Sequence, residues 1–400
     1  MTKFKVIVRK NYIDLFCGIG GFHQALDKLG CKCILACDIN KYCREVYKMN
    51  YDMNVHEDVK KIVPTELQDF DILCAGFPCQ AFSNAGKKKT FSDDRGLLFD
   101  EIIRIVKVKK PKFLFLENVK HILKVDDGKV IKYILDKLDK NDYKVQIFHM
   151  SPHNYGIPQQ RERIYFVCVR KDIYKHDLDE SQLLYPKNTD YNFSDFLDNY
   201  DDIDAKYLIK GDLLKSLETW DKMITQFKFG EKISPTIMAN ELHKFESYSE
   251  DDFNLMAVWR KDYIKKNRPL YLKYKAEFDK WYEENQCILQ KREVYGKLEW
   301  QVGTIKPDDS IFNYFIQVRQ SGIRVKKAHH FPTLVAISQI PIYGKEKRYI
   351  TPKECLRLQS FPDSFKLLED KHSYKQLGNS VNVTNVTNII ESTLKFYNYL

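Results

Sequence analysis

The stretch Tyr12–Phe22, YIDLFCGIGGF, runs from a short apolar segment directly into Gly18, Gly20 and Gly21. A buried strand that breaks into a glycine turn and then a helix is the opening unit of an open α/β sheet, and the glycines let a ligand approach the backbone. A dinucleotide fingerprint requires a third glycine where His23 stands, so that reading fails. Acidic residues stand where phosphate-binding groups would otherwise be expected. Asp14 lies in the strand before the loop, where a carboxylate suits a ligand ammonium. Asp38 ends the second strand, at a spacing suited to ribose hydroxyls. Asp58 follows a third strand, placed to accept from an adenine amino group. Amine, ribose and adenine together describe S-adenosylmethionine.

The text around this stretch repeats the alternation. KCILACDI, FDILCAGF, PKFLFLENV and RIYFVCV are further apolar runs, separated by helical spacing such as Leu97, Ile102, Ile103 and Val106. That pattern predicts a mostly parallel, doubly wound α/β sheet covered by helices on both faces. Near Tyr185 the text changes. As far as about Asn313 it is charged, aromatic and irregular, with one helix carrying Tyr271, Tyr274, Phe278, Trp281 and Ile288 as a structural apolar stripe. SPTIMANELHKFES, residues Ser234–Ser247, reads as a loop able to reach bases.

The chain has 400 residues, enough for two domains, and a formal net charge of +10, which favours an anionic partner. The N-terminus has no signal-like apolar region, and no run of about 18 apolar residues occurs. The ten cysteines show no small-domain disulfide pattern, so a reducing cytoplasmic setting is expected. Cys31, Cys33, Cys37 and Cys43 lack the paired spacing of a zinc site, and no metal is expected.

Three groups are placed to meet at the carboxyl ends of the strands, where such sheets bind ligands. Cys79 follows the fourth strand on a loop fixed by Pro78. Glu117 ends the fifth. Arg161 and Arg163, two apart at the start of a later strand, share one face. A thiol, a carboxylate and guanidinium groups suit methylation at carbon 5 of cytosine. That carbon attacks a sulfonium methyl only after a thiolate adds to carbon 6 and turns the ring into an enamine. Glu117 would hold ring nitrogen 3 and the exocyclic amine. Arg163 would hold the carbonyl oxygen at position 2 and help lower the thiol pKa.

These residues stand in extended motifs. DLFCGIGGF, GFPCQAFS, SDDRGLLFDEIIRI, FLENV, YGIPQQRERIYFV, RQSGIRV with FPTL, and YKQLGNSV occur in that order. The chain thereby resembles the DNA (cytosine-5)-methyltransferase family of bacterial restriction–modification systems, over about 185 N-terminal residues and the last 80. The resemblance implies a Rossmann-like S-adenosylmethionine-dependent catalytic domain over residues 1–185. It implies a target-recognition domain and hinge over 186–375, and a C-terminal helix returning to the large domain over 376–400. It assigns Cys79 as nucleophile and Glu117 and Arg163 to the flipped base, with Arg161 beside them. Cofactor positions carried over are Phe16, Asp38, Asp58 with Val59, Pro78, Leu98 and Asn379, joining Asp14, Gly18 and Gly20. Asp38 replaces the family's more usual glutamate, and Ile39 stands where several members have an aromatic residue over the adenine. Gln80 and Ser83 match DNA-contacting positions, and Lys87, Lys88 and Lys89 suit phosphate contacts. The implied partner is double-stranded DNA, with a cognate endonuclease acting separately. A monomer is expected, because one copy holds every motif. The tRNA-cytosine branch of the family shares the catalytic motifs, but its usual CFT signature after YGIPQQRERIYFV is not found. A catalytically dead binding protein predicts damage at the thiol, the glutamate or the arginines, and all are intact.

Overall fold

The computed structural model describes residues 10–78, 97–227, 230–233, 235–244, 248–337 and 339–400. Cys79, Gln80, Ser83 and the three lysines at 87–89 lie outside the described residues. Two compact units are present: residues 1–196 with 355–400, and residues 197–354.

The first unit alternates strand and helix. In order come β1 (Asn11–Leu15), α1 (Gly21–Lys28), β2 (Lys32–Cys37), α2 (Lys41–Tyr51), β3 (Ile72–Gly76), α3 (Leu97–Lys109), β4 (Phe113–Val119), α4 (Lys129–Asp139), β5 (Tyr143–Met150) and β6 (Arg163–Arg170). They build a six-stranded sheet in the order β2-β1-β3-β4-β6-β5. β1 to β4 run parallel, and β6 is antiparallel to both β4 and β5. The order doubles back at β1, with β2 on one side and β3 on the other, so the ends of these strands form a topological switch point.

Parallel strands covered on both faces need apolar side chains in both directions, which explains the continuous runs in the sequence. On one face Ile13, Leu73, Leu114 and Phe166 pack with Ile102, Ile103 and Val106 of α3 and Ile134 and Leu138 of α4. α1 and α2 meet on the opposite face through His23 and Tyr47.

The structure departs from the sequence expectation at three points here. No third strand forms between β2 and Asp58. The chain there makes a single bridge, Cys37 to His56, so β3 is the third strand and β4 the fourth. β5 was not among the expected strands. It is the edge strand, and its half-exposed pattern lacks an apolar run. β6 begins at Arg163, so Arg161 precedes it and the two-residue face rule does not govern the pair.

The second unit contains α5 (Gly211–Ile224), β7 (Thr236–Met238), α6 (Ala239–His243), α7 (Glu250–Leu255), α8 (Val258–Lys273), α9 (Lys275–Lys291), β8 (Lys297–Gln301), β9 (Phe315–Arg319), β10 (Gly322–Lys326), β11 (Ile342–Tyr343) and β12 (Arg348–Tyr349). Its sheet runs β12-β11-β9-β10-β8-β7. The expected single helix is two, broken at Tyr274, which has left helical geometry at φ −118° and ψ 30°. Its stripe is structural: Tyr271, Tyr274, Phe278 and Trp281 are buried in the core with Trp220. The expected loop after Ser234 is β7 and α6 wherever it is described, with Ile237, Met238 and Leu242 buried, so those side chains are scaffold.

The chain re-enters the first unit within α10 (Pro352–Leu358) and closes with α11 (Asp370–Asn379) and α12 (Val383–Phe396). α12 packs along α1. The contact units thus place 186–196 and 355–375 with the first unit, where the sequence reading placed them in the second. The reason is local bonding: Gly156 N donates to Asn188 O at 2.7 Å, and Asn382 Nδ2 donates to Leu358 O at 3.0 Å.

Candidate active site

The glycine loop leaves β1 by way of residues in the left-handed region, Phe16 (φ 55°), Gly18 (φ 55°) and Gly20 (φ 88°). A bulky residue there is unusual and is held by its surroundings. Cys17 N donates to Cys37 O at 3.0 Å, and Gly18 N donates to Asp38 Oδ2 at 2.8 Å. A Cβ on Gly18 would meet nothing within 4 Å, so this edge of the loop borders open space. A Cβ on Gly20 would lie 2.4 Å from the Tyr51 ring, and Tyr51 Oη donates to Gly20 O at 2.9 Å. His23, where a dinucleotide fingerprint has glycine, stacks on Tyr51 at 3.8 Å and bonds Tyr47 Oη at 2.6 Å.

Asp14 is 0% exposed beneath this loop, and among the described residues neither carboxylate oxygen has a hydrogen-bond partner. Burial, reinforced by the nearby Asp38, pushes its pKa well up. A buried carboxyl without a partner is costly, and an amino group or a water reaching it would be strongly favoured. Asp38 is clasped from both sides, with Asn40 N donating to Oδ1 at 2.8 Å opposite the Gly18 bond. Burial raises its pKa against those bonds. Next to it Ile39 is 81% exposed, an apolar surface without cover. Asp58 caps the turn Val59–Lys61 through Lys60 N at 2.9 Å, and Val59 is buried. Pro78 and Leu98 are half-buried, and Asn379 is exposed at the end of α11.

Glu117 stands near the end of β4, level with Gly76 of β3 and Tyr165 of β6. It is 8% exposed, and Arg163 Nε lies 3.0 Å from its Oε1. Burial raises the Glu117 pKa, while Arg163 and Arg161 pull it down. A Cβ on Gly76 would lie 3.7 Å from Glu117 Oε2, an ordinary van der Waals contact, so Gly76 packs directly beside the carboxylate.

Arg161 acts on the Glu117 charge and is itself bonded to main chain. It is 1% exposed, and its Nη2 donates to Gly378 O at 3.0 Å and Ser380 O at 2.8 Å. It ties the segment before β6 to the main chain on both sides of Asn379. Sequence reasoning also missed Asn118, whose Nδ2 donates to Phe77 O at 2.9 Å and fixes the exit of β3 two residues before Cys79. Its signal was a buried amide beside Glu117. Val381 was missed too, although Gly21 signals it: a Cβ there would lie 2.5 Å from Val381 Cγ2.

Among the described residues no group of three His, Cys, Asp or Glu side chains is placed to hold a metal ion. Cys31, Cys37 and Cys43 are buried free thiols, and burial pushes the Cys31 pKa up to about 11.

A glycine loop after the first parallel strand, a carboxylate after the second and a Glu on the fourth paired with an Arg at the start of β6 define an S-adenosylmethionine-dependent methyltransferase fold. Within that class the chain belongs to the C-5 cytosine-specific DNA methylase family, whose model matches residues 10–395. It is an enzyme of the type II restriction–modification class. The type II methyltransferase M.HhaI of Haemophilus parahaemolyticus is 44% identical over 171 residues, spanning 43% of this chain and 52% of that protein. M1.ScrFI of Lactococcus lactis subsp. cremoris is 31% identical over 393 residues, 96% of this chain and 77% of that one. M.HgiCI of Herpetosiphon aurantiacus is 30% identical over 420 residues, 96% and 97% of the two chains. Among solved structures, S. pombe Dnmt2 methyltransferase matches with a TM-score of 0.58 at 18% identity, covering 98% of this chain and 100% of that one. Entamoeba histolytica methyltransferase EhMeth matches at 0.56 and 19%, covering 97% and 98%. At such identities these two likenesses speak for the fold alone.

Proposed function

We propose that this chain is the modification enzyme of a type II restriction–modification pair. It methylates carbon 5 of one cytosine within a short duplex DNA sequence through a covalent Cys79 adduct, with the endonuclease acting as a separate protein. The observation that carries this reading is the buried Glu117–Arg163 pair beside Gly76, which stands three residues before Cys79 in the sequence.

S-adenosylmethionine, when bound, supplies an electrophilic methyl group on a sulfonium. Asp14 suits its amino group, directly or through water, Asp38 its ribose, and Asp58 the adenine amino group. Phe16, Gly18, Ile39, Val59, Pro78, Leu98 and Asn379 complete that surface. The two orphaned oxygens of Asp14 and the open edge of Gly18 fit this assignment.

The target cytosine leaves the stack, because its carbon 6 face is closed to a thiol inside a duplex. The Cys79 thiolate forms a bond to carbon 6, and the ring electrons move to carbon 5 as an enamine. Glu117 holds nitrogen 3 and the exocyclic amine during that addition, and burial, which raises its pKa against the pull of the arginines, favours the protonated form that donates to nitrogen 3. Arg163 orients Glu117 and faces the carbonyl oxygen at position 2. Carbon 5 then takes the methyl group as the methyl–sulfur bond of the sulfonium breaks to leave a neutral thioether, and the carbon 5 proton passes to water. The carbon 6–sulfur bond breaks, returning the thiolate. Gln80, Ser83 and Lys87 to Lys89 are assigned to DNA contacts, and the unit at 197–354 to reading the sequence. The enzyme acts as a cytoplasmic monomer. Among the described residues no helix is long and apolar enough to cross a membrane.

The test is methyl transfer from tritiated S-adenosylmethionine to mixed duplex DNA, with tRNA in a parallel tube, followed by bisulfite sequencing. Label on DNA, with modified cytosines in one shared context, is the expected result. Label on tRNA alone would move the substrate to the other branch. Normal turnover by Cys79→Ser would sink the covalent mechanism.

A further inference from the structure

A concavity of about 320 Å³ lies between the start of α2 and the middle of α11. Its lining carries Lys41, Lys371, Lys375 and His372, and no carboxylate. None of the three lysines forms an ion pair with a described residue. The wall is stiff. Tyr42 and His372 stack at 3.8 Å, and Lys41 Nζ lies 4.9 Å from the Tyr42 ring centroid. Lysine side chains carry about 2 kcal/mol of rotamer entropy and repel one another, so a shared concavity without a counter-charge is an unfavourable place for three of them.

A second, independent feature points the same way. Gln376 lines this concavity, is 5% exposed, and among the described residues neither end of its amide has a nitrogen or oxygen hydrogen-bond partner. Only the weakly bonding Cys43 thiol lies beside it. A buried amide with both ends open is costly unless something polar reaches it. The Asn40 side chain already takes up Tyr42 N and Cys43 N, so the helix N-terminus offers little to a ligand, and recognition falls to side chains.

We propose that this pocket holds a phosphate group, with the lysine ammoniums neutralising its charge and Gln376 Nε2 donating to one oxygen. The phosphate comes either from a DNA backbone or from a free phosphorylated small molecule. The first source rests on the methyl-transfer reading, and the second does not.

The experiment compares the full-length protein with Lys371→Glu/Lys375→Glu and with Gln376→Leu. Inorganic phosphate is titrated and followed by ³¹P line broadening. Binding to duplex DNA is measured across a salt series. S-adenosylmethionine affinity and methyl transfer are measured on the same preparations, which separates a failed pocket from a failed methyltransferase assignment. If DNA fills the pocket, the double variant loses about tenfold or more in DNA affinity and its log–log salt slope falls by about one per lysine, with cofactor affinity unchanged. If the source is a free phosphate, the wild type broadens the ³¹P signal, both variants lose that effect, and DNA binding is untouched. A wild type that leaves the phosphate signal sharp, together with a double variant that binds DNA with the original affinity and slope, would overturn the proposal.

Discussion

Replacing Arg161 with methionine separates two roles for that guanidinium. Methionine keeps much of the unbranched volume but drops both bonds to the main chain, at 3.0 Å to Gly378 O and 2.8 Å to Ser380 O. A hydrogen bond from a charged donor is worth roughly 1.5–3 kcal/mol, so the pair amounts to about 3–6 kcal/mol. Removing a cation that is 1% exposed returns part of its desolvation cost, which leaves a net loss of about 2–4 kcal/mol. Against a total stability of roughly 5–15 kcal/mol the variant still folds. The released carbonyls flank Asn379, so the loss falls first on the proposed cofactor surface. Urea unfolding would show a lowered midpoint. Calorimetry would show S-adenosylmethionine binding weakened by about tenfold or more, while kcat at saturating cofactor changes less. Arg161→Lys, with one donor in place of a fork, would fall between. Arg161 also holds the Glu117 pKa down, so its loss pushes that carboxyl further up and, since the protonated form is the one that donates to nitrogen 3, moves the alkaline limb of the rate profile to higher pH. Wild-type stability and cofactor affinity with a collapsed kcat would refute this reasoning and return Arg161 to the substrate.

Three other perturbations follow from the same geometry. The raised Asp14 pKa means the folded state binds its proton more tightly than the unfolded chain does, so stability is greatest below the unfolded pKa and declines as pH climbs toward the folded one. Asp14→Asn should therefore flatten the decline above about pH 4, by up to about 1.4 kcal/mol per pH unit, while weakening cofactor binding; an unchanged urea midpoint at pH 7 would contradict it. Gly18→Ala should cost only about 1–2 kcal/mol for its left-handed φ, because its Cβ meets nothing, yet impair cofactor binding; Gly20→Ala adds overpacking against Tyr51 for about 2–5 kcal/mol. Paired thermal melts and cofactor titrations test that contrast, and equal melting points would defeat it. Gly21→Ala should destabilise by about 1–2 kcal/mol through its 2.5 Å approach to Val381 Cγ2, with helix propensity offsetting part, and Val381→Ala should rescue it in a double-mutant cycle.

The strands legible in the sequence are those whose burial on both faces makes an unbroken apolar run, as in Phe113–Leu116. β5 escaped because an edge strand exposes part of each face, with Lys144 and His149 outward beside a 38% exposed Ile147. Asp58 was placed after a third strand that does not form there; it instead caps the turn Val59–Lys61. In the second unit, burial of Thr236–Met238 depends on β8 alongside, a partner some 60 residues on, which no local window contains. The same limit explains Arg161. Its spacing from Arg163 suggested a shared face, but the strand starts two residues later, and Arg161's partners lie 217 and 219 residues away.

What the local text did contain was a record of those distant partners, written as glycine. Gly18, Gly20 and Gly21 belong to one motif yet answer to three constraints. Gly18 combines a left-handed φ with open space, which is a ligand's requirement. Gly20 combines a left-handed φ with the Tyr51 ring, which is the loop's own. Gly21 has no unusual φ and opens a helix, where glycine is unfavourable by about 1 kcal/mol relative to alanine. Its presence is explained by Val381 and Ser380, 360 and 359 residues later, which press on that helix start while Arg161 holds the same segment from the other side. The return of the C-terminal segment is therefore a condition for the shape of the loop, and the proposed cofactor surface draws on both ends of the first unit rather than on the glycine motif alone.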